Sequence, residues 1–302
     1  MITKRDIETY LKGLSMGLAD IIPGVSGGTI AFIVGIYEKL ITSIKSFTPL
    51  IFLHLFKSPF SKESRKEFMR LLGNMNPRFL LALLFGITTS FLAASRVILI
   101  ALHNFPTYTY AFFFGLILAS AVMIYEHVEG LDFGKVFVGF AGFLFSFMIT
   151  GPQTLTLPHT IPVVFFSGMI AISAMILPGI SGSFMMLLLG QYEFMLGVLK
   201  NFTTKYVEIL VFIGGAAIGL VIFSRILSYL LKEHKQHTVS FLTGLMLGAL
   251  RLPFLRTVYV FEYYPNLVFS WNLMTMGSTL LFGIFGILAV YLLESKGNKT
   301  DI

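Results

Sequence analysis

Apolar residues fill this chain in long blocks, and the blocks are of two kinds. The first kind is continuous. Residues 79–102, 107–126, 133–151, 206–231, 238–255 and 267–293 carry at most two charged side chains each. About 20 apolar residues cross the hydrocarbon core of a bilayer, so each block predicts a transmembrane helix. The second kind is interrupted. Residues 7–44 and 161–200 are broken near the middle by Pro-Gly-x-Ser-Gly, at Pro23–Gly27 and Pro178–Gly182. Pro removes a backbone donor and clashes with a continuing helix. The arms on either side fall short of the ~20 residues of a full crossing. The pattern predicts re-entrant hairpins: in to mid-depth, a turn at the break, and out on the same side.

The two hairpins are copies. Ala19-Asp-Ile-Ile-Pro-Gly-Val-Ser-Gly-Gly28 leads on to Gly35-Ile-Tyr-Glu38. Ala174-Met-Ile-Leu-Pro-Gly-Ile-Ser-Gly-Ser183 leads on to Gly190-Gln-Tyr-Glu193, at an offset of 155 (174 − 19). A second match runs at 129: Arg96 falls on Arg225 (225 − 96), with Gly86 on Gly215, Phe112 on Phe241 and Gly115 on Gly244. The offsets differ by 26 (155 − 129), and the difference corresponds to extra polar sequence around residues 57–76. Register held across two blocks indicates a duplication. The halves are then 1–151 and 152–302.

Composition agrees with a membrane protein. The chain is 56% hydrophobic and 12% charged, with mean hydropathy +0.83; a soluble domain carries roughly a quarter charged residues. A net charge of +7 could suit nucleic acid, but the basic residues flank apolar blocks, so no nucleic acid is expected. There is no cysteine, which excludes thiol chemistry. The N-terminal apolar stretch is interrupted by Asp20 and lacks a convincing cleavage site, so the mature protein is expected to keep it.

Charge placement orients the spans. The insertion at 45–78 holds Lys45, Lys57, Lys62, Arg65, Lys66, Arg70 and Arg78 against Glu63 and Glu67. The positive-inside rule places it in the cytoplasm together with Lys4, Arg5 and Lys12. Spans 79–102, 107–126 and 133–151 carry the chain out, the hairpin at 161–200 enters from outside, and 206–231, 238–255 and 267–293 return it. Both termini are then cytoplasmic. The expected fold is an all-α polytopic membrane protein with an inverted-topology repeat, each half one re-entrant helical hairpin plus three transmembrane helices. Residues 47–56 are expected to lie along the cytoplasmic interface.

The breaks are the candidate site. Gly lets backbone approach a ligand closely, and Ser26 and Ser181 can cap the helix that follows each break. Helix N-termini at mid-depth present free N–H groups and favour an anion. The binding set is therefore Ser26, Gly27, Gly28 and Thr29 with Ser181, Gly182 and Ser183. Arg96 and Arg225 sit inside apolar spans, where charge is expensive and commonly functional; the competing reading is snorkelling to the interface. Glu38 and Glu193 form another symmetric pair, and Asp20 falls on Met175 and so has no acidic counterpart. These three are candidates for coupling or gating. Arg251 is a weaker candidate that could simply anchor a span end. His234 and His237 lie in what reads as a solvated charged loop, and no zinc spacing, P-loop or dinucleotide fingerprint occurs. Neither a metal nor a resident cofactor is expected, beyond a coupling proton or sodium ion.

Pro23-Gly-Val-Ser-Gly-Gly-Thr29, Pro178-Gly-Ile-Ser-Gly-Ser183 and the Gly-Leu-x-Leu blocks at Gly115 and Gly244 resemble the bacterial undecaprenyl phosphate translocase family, formerly a domain of unknown function. The resemblance covers nearly the whole chain. It implies a flippase that returns undecaprenyl phosphate from the outer to the inner leaflet of the cytoplasmic membrane for cell-wall synthesis. Its partners are that lipid phosphate, membrane lipids and, as an open alternative, a second copy in a homo-oligomer. Undecaprenyl pyrophosphate phosphatases also use re-entrant hairpins but carry Pro-Gly-x-Ser-Arg-Ser; here Gly27 and Gly182 stand at the arginine position. A small-anion transporter or channel could use the same helix N-termini.

Overall fold

The computed structural model describes residues 3–20, 26–48, 50–59, 61–126, 128–130, 132–151, 157–201, 203–260 and 270–297. Within these, the side chains of residues 52, 91, 95, 96, 99, 200 and 293–297 are not described. All regular structure among the described residues is helical.

The first hairpin is α1 (Lys4–Asp20), α2 (Gly27–Ile33) and α3 (Tyr37–Lys45). The insertion follows as α4 (Leu50–Lys57) and α5 (Lys62–Asn74), and then come α6 (Pro77–Asn104), α7 (Pro106–Glu126) and α8 (Phe133–Ile149). The second hairpin is α9 (Ile161–Ile176), α10 (Gly182–Leu188) and α11 (Tyr192–Lys200). It leads to α12 (Tyr206–Glu233), α13 (Lys235–Ala249), α14 (Arg251–Val258) and α15 (Leu273–Gly297). Five stretches among the described residues are long and apolar enough to cross a membrane: α6, α7, α12, α13 with α14, and α15. At 17 residues, α8 spans about 25 Å.

Close backbone contacts built on glycine hold the helices in pairs. A Cβ at Gly13 would collide with Leu83 O, and one at Gly86 with Tyr10 O. Gly17 lies beside Ile87 and Ser90, so α1 and α6 run parallel. The second half repeats the contact: Gly168 meets Phe212 O, and Gly215 meets Phe165 O. Each hairpin thus returns to the side it entered from before the next helix starts. The central helices pair across the halves. Gly115 of α7 meets Gly283 of α15, and Gly244 of α13 meets Gly139 of α8. Gly286 meets Phe112 O as Gly142 meets Phe241 O. These positions reveal a third register, 144 (283 − 139), which links α8 to α15. The halves are therefore interlocked rather than side by side. α7 and α13 are mostly buried, whereas α6, α12 and α15 are mostly exposed and form the membrane-facing rim.

Several boundaries differ from the sequence expectation. The outgoing arm of each hairpin is itself broken, with α2 and α3 bent by 119° and α10 and α11 by 109°. Gly35 (φ +67°) and Gly190 (φ +68°) occupy the left-handed region at these bends. Ile36 N donates to Ala31 O at 2.9 Å, and Gln191 N donates to Met186 O at 2.9 Å. This is a glycine-terminated helix end in both copies. The loop expected at 232–237 is a single residue, His234, between α12 and α13. The last helix starts at Leu273 rather than 267, because Asn272 and Thr275 cap each other's N–H at 2.9 Å; residues 267–269 lie outside the described set. The expected interfacial stretch 47–56 forms α4, which packs mainly on α5.

Two neighbouring glycines test the pairing. A Cβ at Gly214 meets nothing within 4 Å, whereas one at Gly215 strikes Phe165 backbone. Gly215→Ala should lower stability by about 1–3 kcal/mol through overpacking. Gly214→Ala should be neutral or stabilise by up to ~1 kcal/mol from helix propensity. Thermal unfolding of the two variants in detergent, side by side, reads the difference.

Candidate functional site

The two hairpins meet through side chains of the first and backbone of the second. α9 ends at Ile176, and the last carbonyls of a helix have no partner within it. Ser26 Oγ lies 3.1 Å from Leu177 O and 3.3 Å from Met175 O and donates to this pair. Tyr37 Oη donates to Ile176 O at 3.1 Å. In the other direction Gly179 N donates to Thr29 Oγ1 at 2.9 Å. Ser26, Thr29 and Tyr37 are all buried.

The first tip is closed on itself. Gly27 N donates to Asp20 Oδ1 at 2.7 Å, Gly28 N to Ser26 Oγ at 3.1 Å and Thr29 N to Ser26 O at 3.0 Å. In this conformation the donors expected to hold an anion at Gly27, Gly28 and Thr29 are engaged within the protein. Asp20 Oδ2 is shut off from solvent and has no hydrogen-bond partner among the described residues. There is no spare volume either. A Cβ at Gly27 would lie 2.6 Å from Asp20 Oδ2, and one at Gly28 2.6 Å from Ile176 O. Pro23 and Gly24 lie outside the described residues.

The second tip is open. Ser181 makes no side-chain cap to α10; its hydroxyl instead lies 2.8 Å from Ser183 Oγ. Ser181 is buried, Gly182 half-buried and Ser183 exposed. The difference follows from three substitutions between the copies. Ser183 replaces Gly28, Phe184 replaces Thr29, and Met175 replaces Asp20. Met175 removes the carboxylate acceptor of the first cap, Ser183 gives the Ser181 hydroxyl a side-chain partner that Gly28 cannot give Ser26, and Phe184 lacks the hydroxyl that Thr29 offers.

The other expected residues lie apart from the tips. Arg225 is exposed on α12, and its Nη2 donates to Phe47 O at 3.4 Å, beyond the end of α3. Arg96 lies on α6, but its side chain is outside the described residues. Glu38 pairs with Lys235 at 3.1 Å, with both side chains about half exposed, a setting in which an ion pair contributes little. The pair is not duplicated, since Pro106 matches Lys235 (235 − 129). Glu193 is exposed. Arg251 donates to Phe147 O at 2.7 Å and lies 4.4 Å over the Phe147 ring. That arrangement ties α14 to the end of α8 and fits an anchor.

With the tips described, the comparisons with known proteins can be set beside them. A family model described as undecaprenyl phosphate translocase-like matches residues 16–263, which include both tips. The chain belongs to this family. It is 43% identical over 248 residues to a Vibrio cholerae protein named polyprenyl-phosphate transporter, covering 82% of this chain and 77% of the relative. It is 32% identical over 259 residues to a Staphylococcus aureus protein of the same name, covering 80% and 83%. No solved structure matches.

Two residues of the tip region escaped the sequence reading. Tyr37 was visible only as part of the shared Gly-x-Tyr, yet it is buried and bonded across the repeat, while its copy Tyr192 is exposed. Gln191 is fully buried at the second bend, where it donates to Leu157 O at 3.0 Å and meets His159 Nδ1 at 3.2 Å. Its signal was a polar residue after Gly190 where the first copy has Ile36.

Thr29 offers a clean test of the tip-to-tip contact. Thr29→Val removes the acceptor of Gly179 N–H at nearly constant shape and should cost about 1–3 kcal/mol, the penalty for a buried donor left unpaired. Thr29→Ser should retain most of the stability. Melting temperatures of both purified variants against the parent decide it, and equal melting of all three would contradict the assignment.

Proposed function

We propose that this chain carries undecaprenyl phosphate from the outer to the inner leaflet of a bacterial cytoplasmic membrane, returning the lipid carrier to cell-wall synthesis. The observation that carries this reading is the meeting of two hairpin tips within the bundle, one closed and one open. Membership of the translocase-like family and relatives named for polyprenyl phosphate support the cargo. The open tip offers the paired hydroxyls of Ser181 and Ser183 with the start of α10, a setting suited to an anionic head group.

Transport then exchanges which tip is open. The parallel runs of α1 with α6 and of α9 with α12 support hairpins that return to their own side. With α6, α7 and α8 each crossing between them, the hairpins approach from opposite leaflets. This is the inverted repeat that alternating access uses. Basic residues on and around α4 and α5 and near the N-terminus support a cytoplasmic location for that end. Arg96 and Arg225, on matched helices of opposite direction, collect and release phosphate near the two leaflets. Of the three acidic candidates, Asp20 is the one whose environment suits coupling to a proton or sodium ion. Its second oxygen is buried and has no partner among the described residues, while Glu38 already has Lys235.

Two rivals fit less well. A phosphatase would need a cation on the phosphoryl group. The motif positions that would supply it are glycines whose Cβ directions run into Asp20 and into Ala171 O. A small-anion transporter or channel would use the same tip, and the relatives named for polyprenyl phosphate favour a lipid cargo over it.

Proteoliposomes carrying labelled undecaprenyl phosphate in one leaflet test the proposal. The protein should speed the loss of label from that leaflet far above protein-free vesicles, without releasing phosphate from undecaprenyl pyrophosphate. Phosphate release, or no acceleration, would overturn it. Arg96→Ala and Arg225→Ala should each slow exchange, and full rates in both would remove the arginine roles. Asp20→Asn should abolish the dependence of the rate on an imposed proton or sodium gradient.

A further inference from the structure

Beside the open tip lies a cavity of about 180 Å³ between α8, α9 and the start of α10. Its walls include Phe145, Ile149, Ile170, Ser173, Ile180 and Met185. Ser173 is the only residue among its walls with a polar side chain, and its hydroxyl is turned back onto Met169 O at 2.8 Å. Nothing in the lining can hold a polar guest. Apolar cavities of roughly 150 Å³ stay dry and accept a benzene-sized molecule, so this one suits a branched hydrocarbon unit of similar size. At its rim Phe145 is 49% and Ile170 38% exposed.

The position of the cavity narrows its occupant. Ile180 and Met185 line it, and they bracket Ser181 and Ser183 in the chain. Hydroxyls and hydrocarbon are thus offered within one turn of backbone, the former for a phosphate and the latter for what is attached to it. Among the described residues the first hairpin shows no such pairing. There Leu18 stands for Ser173 and Ile30 for Met185 (offset 155), and Ile30 is buried in the main core.

We propose that this cavity seats the isoprene unit nearest the phosphate of the transported lipid while Ser181 and Ser183 contact the head. The assignment rests on the transport reading and deepens it: the second hairpin reads head and tail together, so selectivity for a polyprenyl chain over a free phosphate resides there.

The test uses the full chain in proteoliposomes. A photoreactive residue at Ile170, on the rim, should cross-link to labelled undecaprenyl phosphate. Excess unlabelled undecaprenyl phosphate should suppress the cross-link, and excess phosphatidylglycerol should not. Ser173→Leu, which imports the residue of the matching first-half position, should fill the cavity and abolish the cross-link. It should also raise the half-saturating concentration for translocation by about tenfold or more, the scale on which a hydrophobic pocket resolves a methylene. Competition by phosphatidylglycerol, or an unchanged half-saturation in Ser173→Leu with a normally folded protein, would overturn the cavity assignment. A specific cross-link without any translocation would instead overturn the transport reading and leave the cavity as a polyprenyl site.

Discussion

A chain that turns in the middle of a bilayer leaves backbone groups where no water can reach them. Each unpaired group in hydrocarbon costs several kcal/mol. The rest of this fold is arranged around that constraint. Ser26 and Tyr37 cover the last carbonyls of α9, and Thr29 takes the N–H of Gly179. The first hairpin solves its own problem with Asp20 and Ser26 and the second hairpin's problem with the same short segment. The crosswise pairing of α7 with α15 and of α8 with α13 then joins the two halves.

That solution is also easy to undo. Beyond the close approach of Gly28 to Ile176 O, the tip-to-tip link rests on a few hydrogen bonds, each worth net only about 0.5–1.5 kcal/mol. Their sum is of the size that a ligand's differential affinity for two states can overcome. The glycine-to-backbone crossings are different. They cannot stretch by degrees, because the helices touch backbone to backbone. The molecule therefore combines rigid helix pairs with a weak seam at the tips, which is the mechanical division that movement of a hairpin requires.

Much of this was legible in the sequence because it depends on periodic or repeated features. Hydrophobic run length located α6, α7, α12 and α15 to within a few residues. The doubled Pro-Gly-x-Ser-Gly located the turn between α9 and α10, and the matching turn of the first copy falls outside the described residues. What escaped was set by contacts between residues far apart in the chain. Gly35 and Gly190 aligned in the repeat, but a glycine in an apolar run does not announce a bend of more than 100°. Asp20 was visible as an unmatched acid, yet only the folded chain brings its carboxylate to Gly27 N–H and so closes one tip. Arg225 and Glu38 were singled out by symmetry, and the structure places them away from the tips, Arg225 against Phe47 O and Glu38 against Lys235, the latter a pair that the symmetry does not repeat. The third register, between α8 and α15, was missed because its matched residues are glycines and aromatics common in any membrane helix.

The unequal tips bear on why the motif lacks arginine. A guanidinium clamp holds a phosphate strongly and in a fixed orientation, which suits a transferring phosphoryl group. A carrier faces the opposite demand, since its cargo must enter on one side and leave on the other. Binding must be favourable enough to capture and weak enough to release. Hydroxyls and backbone N–H groups satisfy that demand, and their partners when no cargo is present can come from the protein itself. The first tip displays such a self-satisfied state, with the Asp20 carboxylate against Gly27 N–H. Replacing Gly27 by a larger residue would fill the space that Asp20 occupies. The glycine is thus tied to the presence of the carboxylate, and the second copy, with Met175 in place of Asp20, is free to stay open.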